Sequence, residues 1–277
     1  MAGWFAAMML MIVAGRTALA ELNPFEVMEL RSLIGLALFY PLVLRHGGLR
    51  SMATGRPLMQ VGRNLAHYTG QYLWFLALSM IPVAQVVSIE FTMPIWTAIL
   101  ATSFLGERIT PRTGIAIGLG LIGVVVIVRP GIGEANAGQL AMLFAAVAFA
   151  VSIVTMKSLT RSDPTVVIIF WMLVIQSLLG IAPALHVWNW PSAALWPWIV
   201  VLAFSGTFSH YCLTNAMRYA ETTVVVPMDF LRVPLSATVG WLVYAERLDL
   251  VTVLGAVMIL AANLLNLAGQ RATAMSR

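Results

Sequence analysis

Asn64, His67, Tyr68 and Gln71 are spaced three and four apart, which places them on one face of a helix. Thr207, His210, Tyr211 and Thr214 repeat that spacing later in the chain. Other polar residues stand in otherwise apolar runs: Arg16, Glu90 with Thr97, Ser152 with Thr155, and Asp229 with Arg232 and Ser236. Such a set suits a small molecule carrying both signs of charge. Arg16, His67, His210 and Arg232 could meet a carboxylate, and Glu90 or Asp229 an ammonium group, with Tyr72 and Trp96 counted among the candidate site residues.

Each residue also has a plainer reading. Stripes of Ser, Thr, Asn and Tyr join helices to one another. Asp229 and Arg232, three apart, can neutralise each other, and Trp96 and Trp171 fit packing positions. Glu90 has no cation within one turn of its own helix, and an ionisable group inside a membrane points to function. Catalysis is not indicated. The sequence has no HExxH, no GxSxG and no cysteine cluster, and its four histidines are scattered. No metal or cofactor is expected. Gly118 to Gly123 reads GLGLIG, but it lies inside an apolar span rather than at a strand-to-helix turn, so close helix packing explains it, as it does Gly114-x-x-x-Gly118. GxxxxGK[ST] is absent, so no ATP hydrolysis and no ATPase subunit are expected.

Composition sets the solvent for these stripes. Sixty per cent of the 277 residues are hydrophobic and 10% charged, against about 25% charged in a typical soluble domain. The chain is therefore an all-α integral membrane protein embedded in a lipid bilayer. The net charge of +5 is spread over short gaps between apolar runs, which argues against a nucleic-acid partner. At roughly 20 apolar residues per crossing, ten spans are predicted, near 3–20, 25–44, 61–80, 83–105, 110–128, 137–157, 164–185, 196–217, 222–244 and 249–268. The runs lack the alternation of barrel strands. Ala18-Leu19-Ala20 imitates a signal-peptide cleavage site, but no basic segment precedes it, and the first span is expected to stay.

With the N-terminus inside, cytoplasmic segments hold Arg45, Arg50, Arg56, Arg63, Arg108, Arg112, Lys157, Arg161, Arg218, Arg271 and Arg277, against Arg129 and Arg247 outside. Both termini are then cytoplasmic.

The chain also repeats itself. At an offset of 139, Phe5-Ala6-Ala7 meets Phe144-Ala145-Ala146, Tyr72 meets Tyr211, Glu90-Phe91 meets Asp229-Phe230, and Glu107-Arg108 meets Glu246-Arg247. Asn23-Pro24 meets Asp163-Pro164 one residue out of step. The copies are placed at 1–130 and 136–270, and an odd five spans per copy makes the second inverted. Inverted repeats are a construction of secondary transporters. Pro94 and Pro234 are expected to bend spans 4 and 9, and the closing Glu-Arg pairs to cap helix ends.

Ten spans in two halves, Asn-Pro or Asp-Pro entering the second helix of each, and fourth helices ending FLGERIT or VYAERLD resemble the EamA-type drug/metabolite transporter superfamily. Within it, the chain looks most like bacterial amino-acid and metabolite exporters of the YddG type. The resemblance implies a central cavity walled by helices 1, 3, 4, 6, 8 and 9, with 5 and 10 packed behind. It leads to the expectation of a secondary carrier exporting small amphipathic metabolites, amino acids including aromatic ones, across a bacterial inner membrane, with protons as a candidate coupling ion. A multidrug exporter of organic cations is the alternative within this fold, and an intramembrane enzyme or channel the alternative outside it.

Overall fold

The structure, a computed structural model, describes residues 2–93, 95–97, 99–100, 111–128, 136–219, 232–246 and 250–275. Among these residues all regular elements are helical. In chain order they are α1 (Ala2–Leu19), α2 (Pro24–Arg45), a 3-10 turn (Leu49–Met52), α3 (Pro57–Met80), α4 (Val83–Glu90), α5 (Pro111–Val128), α6 (Ala137–Leu159), α7 (Thr165–His186), α8 (Trp196–Tyr219), α9 (Arg232–Tyr244) and α10 (Leu250–Met275). Three of them, α2, α6 and α7, are long and apolar enough to cross a membrane.

The helices gather into two compact units, and the chain passes between them within α3 and α6. One unit comprises Met1–Phe75 and Thr155–Ala220, the other Leu76–Val154 and Glu221–Arg277.

In the first unit α2 packs on α7 and α8, and α1 on α8. Local chemistry starts α2. Asn23 Oδ1 accepts from the Phe25 N–H at 3.1 Å, and the Asn23 N–H donates to Glu26 Oε2 at 2.8 Å. Pro24 occupies the first helical position, where its missing N–H costs nothing. Before α7, Asp163 accepts from Thr54 Oγ1 at 2.7 Å and from Gln60 Nε2 at 2.9 Å. That ties the chain entering α3 to the chain entering α7. Beyond the far end of α7, Glu26 takes the Asn189 N–H, and Glu21 accepts from Ser192 Oγ at 2.9 Å. Thus α2 and α7 run antiparallel. Between their ends, Phe39, Val43, Met52, Val166, Val167, Ile169, Met172 and Leu173 form an apolar cluster held by close contact.

In the second unit α5 lies along α10. A Cβ built on Gly123 would fall 2.8 Å from Ile259 Cγ1 and 2.9 Å from the Gly255 carbonyl oxygen. One on Gly255 would fall 2.5 Å from Ile127 Cγ1, and one on Gly120 would overlap Ile95 and reach within 3.4 Å of Ala262. Gly120 and Gly123 of the GLGLIG stretch therefore serve helix packing, whereas a Cβ on Gly118 meets nothing within 4 Å among the described residues.

Helices α4 and α9 are also antiparallel neighbours. The N–H of Val83, opening α4, donates to Glu246 Oε2 at 2.9 Å just past the end of α9. Glu246 thus caps a helix other than its own, while Glu107, Arg108 and Arg247 lie outside the described residues. The fourth span is interrupted, with helical residues again at 93, 95–97 and 99–100. Its helix stops at Glu90, and Thr92 turns its hydroxyl back to the Ile89 carbonyl at 2.8 Å. Pro94 lies outside the described residues, but no proline there could donate to the Glu90 carbonyl. Pro234 is the third described residue of α9, and the residues that precede this helix lie outside those described.

Candidate functional site

The polar stripe of α3 is buried, as its spacing predicts: Asn64, His67, Tyr68 and Gln71 are each at most 9% exposed. Groups from three other helices meet it. Arg31, on α2 and 2% exposed, donates from Nη2 to Gln71 Oε1 at 2.9 Å and to Gln176 Oε1 on α7 at 2.8 Å. An arginine only donates, so the Gln176 atom facing it is oxygen and its amide nitrogen points to His67 Nδ1 at 2.7 Å. That nitrogen of His67 accepts, leaving the ring neutral with its hydrogen on Nε2. The His67 ring meets that of His210, on α8, edge to face at 4.7 Å. Thr214 donates to the His210 carbonyl at 2.8 Å, and Thr207 is buried on the same helix.

Arg63 lies one turn before His67 and is 1% exposed. It donates to Asn64 Oδ1 at 2.9 Å and faces Met156 Sδ at 3.7 Å. Its place inside α3 removes it from the cytoplasmic loop charges with which the sequence groups it. Among the described residues, neither Arg31 nor Arg63 has a carboxylate partner. Two tyrosines expected at the site have their rings occupied in packing. Tyr72 stacks on Phe25 at 4.4 Å, and Tyr211 sets an edge against Phe39 at 6.5 Å. Arg16, in the last turn of α1, and Thr155 are half-buried.

The second unit holds a separate charged group. Arg232 Nη2, at the start of α9, lies 2.6 Å from Glu90 Oε1 at the end of α4, and its guanidinium sits 5.2 Å above the Phe91 ring. Glu90 thus has a cation, contributed by a helix other than its own. Asp229 lies outside the described residues. Nearby, Trp96 donates from Nε1 to Thr92 Oγ1 at 3.0 Å, and Thr97 to the Met93 carbonyl at 2.9 Å. Ser152 and Ser236 are buried. Gln139 donates to Gln85 Oε1 at 3.2 Å, adding a polar link between α6 and α4.

Spacing on one helix did not single out Glu29, Arg31, Arg63 or Gln176. A signal existed, since each is a charged or amide residue within an apolar helix. The described residues bring no His, Cys, Asp and Glu together as a metal site. What they form is a buried array of donors and acceptors suited to holding a polar solute.

The sequence profile described as the EamA-like transporter family matches residues 3–129 and again 136–268. An S-adenosylmethionine uptake transporter of Rickettsia prowazekii is 28% identical, over 88% of this chain and 83% of its own length. A riboflavin transporter of Brucella anthropi is 30% identical over 83% of each chain, and the pseudopaline exporter CntI of Pseudomonas aeruginosa is 27% identical over 89% and 87%. A solved crystal structure, 20% identical, shares the fold with a TM-score of 0.68 over 95% of this chain and 94% of its own. These names include uptake as well as export, and their substrates are not free amino acids. The expected export of amino acids, aromatic or otherwise, is therefore set aside. The chain is a multi-pass membrane transporter rather than an enzyme, and it belongs to the EamA-like transporter family.

Proposed function

We propose that this chain is a secondary carrier of a bacterial inner membrane, and that its substrate is a polyfunctional, carboxylate-bearing metabolite, with S-adenosylmethionine the first compound to test. One observation carries the substrate reading: Arg31 and Arg63 are buried guanidiniums whose partners among the described residues are neutral. An uncompensated buried charge is costly, so an anionic group of the solute belongs beside them. S-adenosylmethionine supplies a carboxylate, and its name is that of the transporter in Rickettsia prowazekii. Riboflavin has none, and an organic cation without a carboxylate would have nothing to offer the two guanidiniums.

Alternating access between inverted halves draws support from three pairs of helices: α2 with α7, α4 with α9, and α5 with α10. Each pair joins corresponding spans of the two copies and runs antiparallel. The absence of a nucleotide-binding motif supports secondary transport. The loop charges, even without Arg63, favour cytoplasmic termini.

The test is counterflow in liposomes holding the purified protein alone. Labelled S-adenosylmethionine should enter saturably without ATP, and excess riboflavin should compete poorly. Uptake that requires ATP and an added subunit would defeat the carrier reading. Riboflavin carried in preference would defeat the substrate reading.

A further inference from the structure

We infer that Glu29 is a proton-binding site: its carboxyl group carries a proton in the conformation described, and gives it up during the transport cycle. The inference rests on the transporter assignment and not on the choice of substrate. Glu29 lies in the second turn of α2, 3% exposed, and neither carboxyl oxygen has a hydrogen-bond partner. The space it fills is defined by a glycine. A Cβ built on Gly180, on α7, would fall 2.3 Å from Glu29 Oε2 and 3.2 Å from the Tyr68 hydroxyl, which is itself buried and unpartnered. Any larger residue at 180 would strike the carboxyl group. The Tyr68 hydroxyl borders the same space, a neighbour able to take or give a proton.

No cation among the described residues pairs with Glu29. On its own helix, Arg31 turns Nη2 to Gln71 and Gln176, and Glu26 is engaged by the backbone N–H groups of Asn23 and Asn189. On the helices beside α2, Arg16 on α1, Arg63 and His67 on α3, His186 on α7 and His210 on α8 are titratable, and none of them forms an ion pair with it. A carboxylate without donors or a counter-charge is far less stable in a dry interior than the neutral acid. A residue placed only to fill space would not be an acid. Moving the proton on and off changes the charge inside the membrane by one, which links the cycle to a proton gradient.

Infrared spectroscopy of the reconstituted protein at neutral pH tests the protonated state without any substrate. The carbonyl stretch of a protonated carboxyl group, shifted by D2O, should be present in the wild type and in Glu26→Gln, and lost in Glu29→Gln. Liposomes with an imposed pH gradient, and S-adenosylmethionine as the probe, test the coupling. Wild-type protein and Glu29→Asp should accumulate the probe along the gradient, whereas Glu29→Gln should exchange it without responding to the gradient. Should Glu29→Gln not fold, Gly180→Ala, which crowds the carboxyl group, should shift the same infrared band. Absence of the band from the wild type, its survival in Glu29→Gln, or its indifference to Gly180→Ala would overturn the assignment. So would gradient-driven accumulation undiminished in Glu29→Gln. If the probe is not carried at all, the infrared result still decides the site, and only the substrate reading fails.

Discussion

Arg232 and Glu90 form a buried ion pair, Nη2 to Oε1 2.6 Å, with side chains 4% and 10% exposed. It closes one end of the α4–α9 pair, while Glu246 closes the other at Val83. Breaking a buried ion pair by replacing one member costs about 3–5 kcal/mol. Glu90→Gln and Arg232→Met should therefore each lower the melting temperature in detergent, and the double variant should regain most of the loss. Two single losses that simply add would show that the pair is not coupled.

Glycines on α5 divide by what faces them. A methyl at Gly123 meets Ile259 and the Gly255 backbone, so Gly123→Ala should destabilise by about 1–3 kcal/mol through overpacking. Nothing among the described residues lies within 4 Å of a Cβ on Gly118, and Gly118→Ala should be neutral or stabilising, by up to about 1 kcal/mol from helix propensity. Thermal unfolding of the two variants side by side checks the contrast.

Much of this molecule is legible along the chain because its cues are short-range. Asn23-Pro24 announces α2, and the three-and-four spacing of Asn64 to Gln71 announces a buried face. Pairings across helices are not legible in that way. Spacing points only to the acid on the same stretch, Asp229, and gives no sign that Glu90 reaches Arg232 from another helix. Arg63 reads as a loop charge because it stands near the end of an apolar run, yet α3 begins six residues before it and buries it. Glu29 and Arg31 stand close behind the capping box, where charges at a helix start look ordinary until the packing of α7 encloses them.

Topology is checked by thiol labelling in a Cys212→Ser background. A cysteine at Arg56, in the connection before α3, should resist an impermeant external reagent in intact cells, and one at Asn136, before α6, should react. Both positions are exposed, so burial does not confuse the comparison. Labelling at position 56 would reverse the assignment of cytoplasmic termini.

Arg31 offers the sharpest test of substrate recognition, because it should behave unlike Arg232. It has no carboxylate partner to strand, so Arg31→Gln should cost no more than about 1 kcal/mol of stability, the scale of one hydrogen bond. Transport should suffer more. Its Nη2 bonds two glutamine side chains, which orients the guanidinium and leaves other N–H groups for a carboxylate. Lysine keeps the charge but cannot reproduce that fork. Arg31→Lys should then weaken S-adenosylmethionine transport about tenfold, equivalent to about 1.4 kcal/mol. Decarboxylated S-adenosylmethionine supplies the control. Wild-type protein should discriminate against it, and Arg31→Gln should lose most of that discrimination by carrying both compounds equally poorly. Discrimination undiminished in Arg31→Gln would assign the carboxylate to another group, with Arg63 the next to replace.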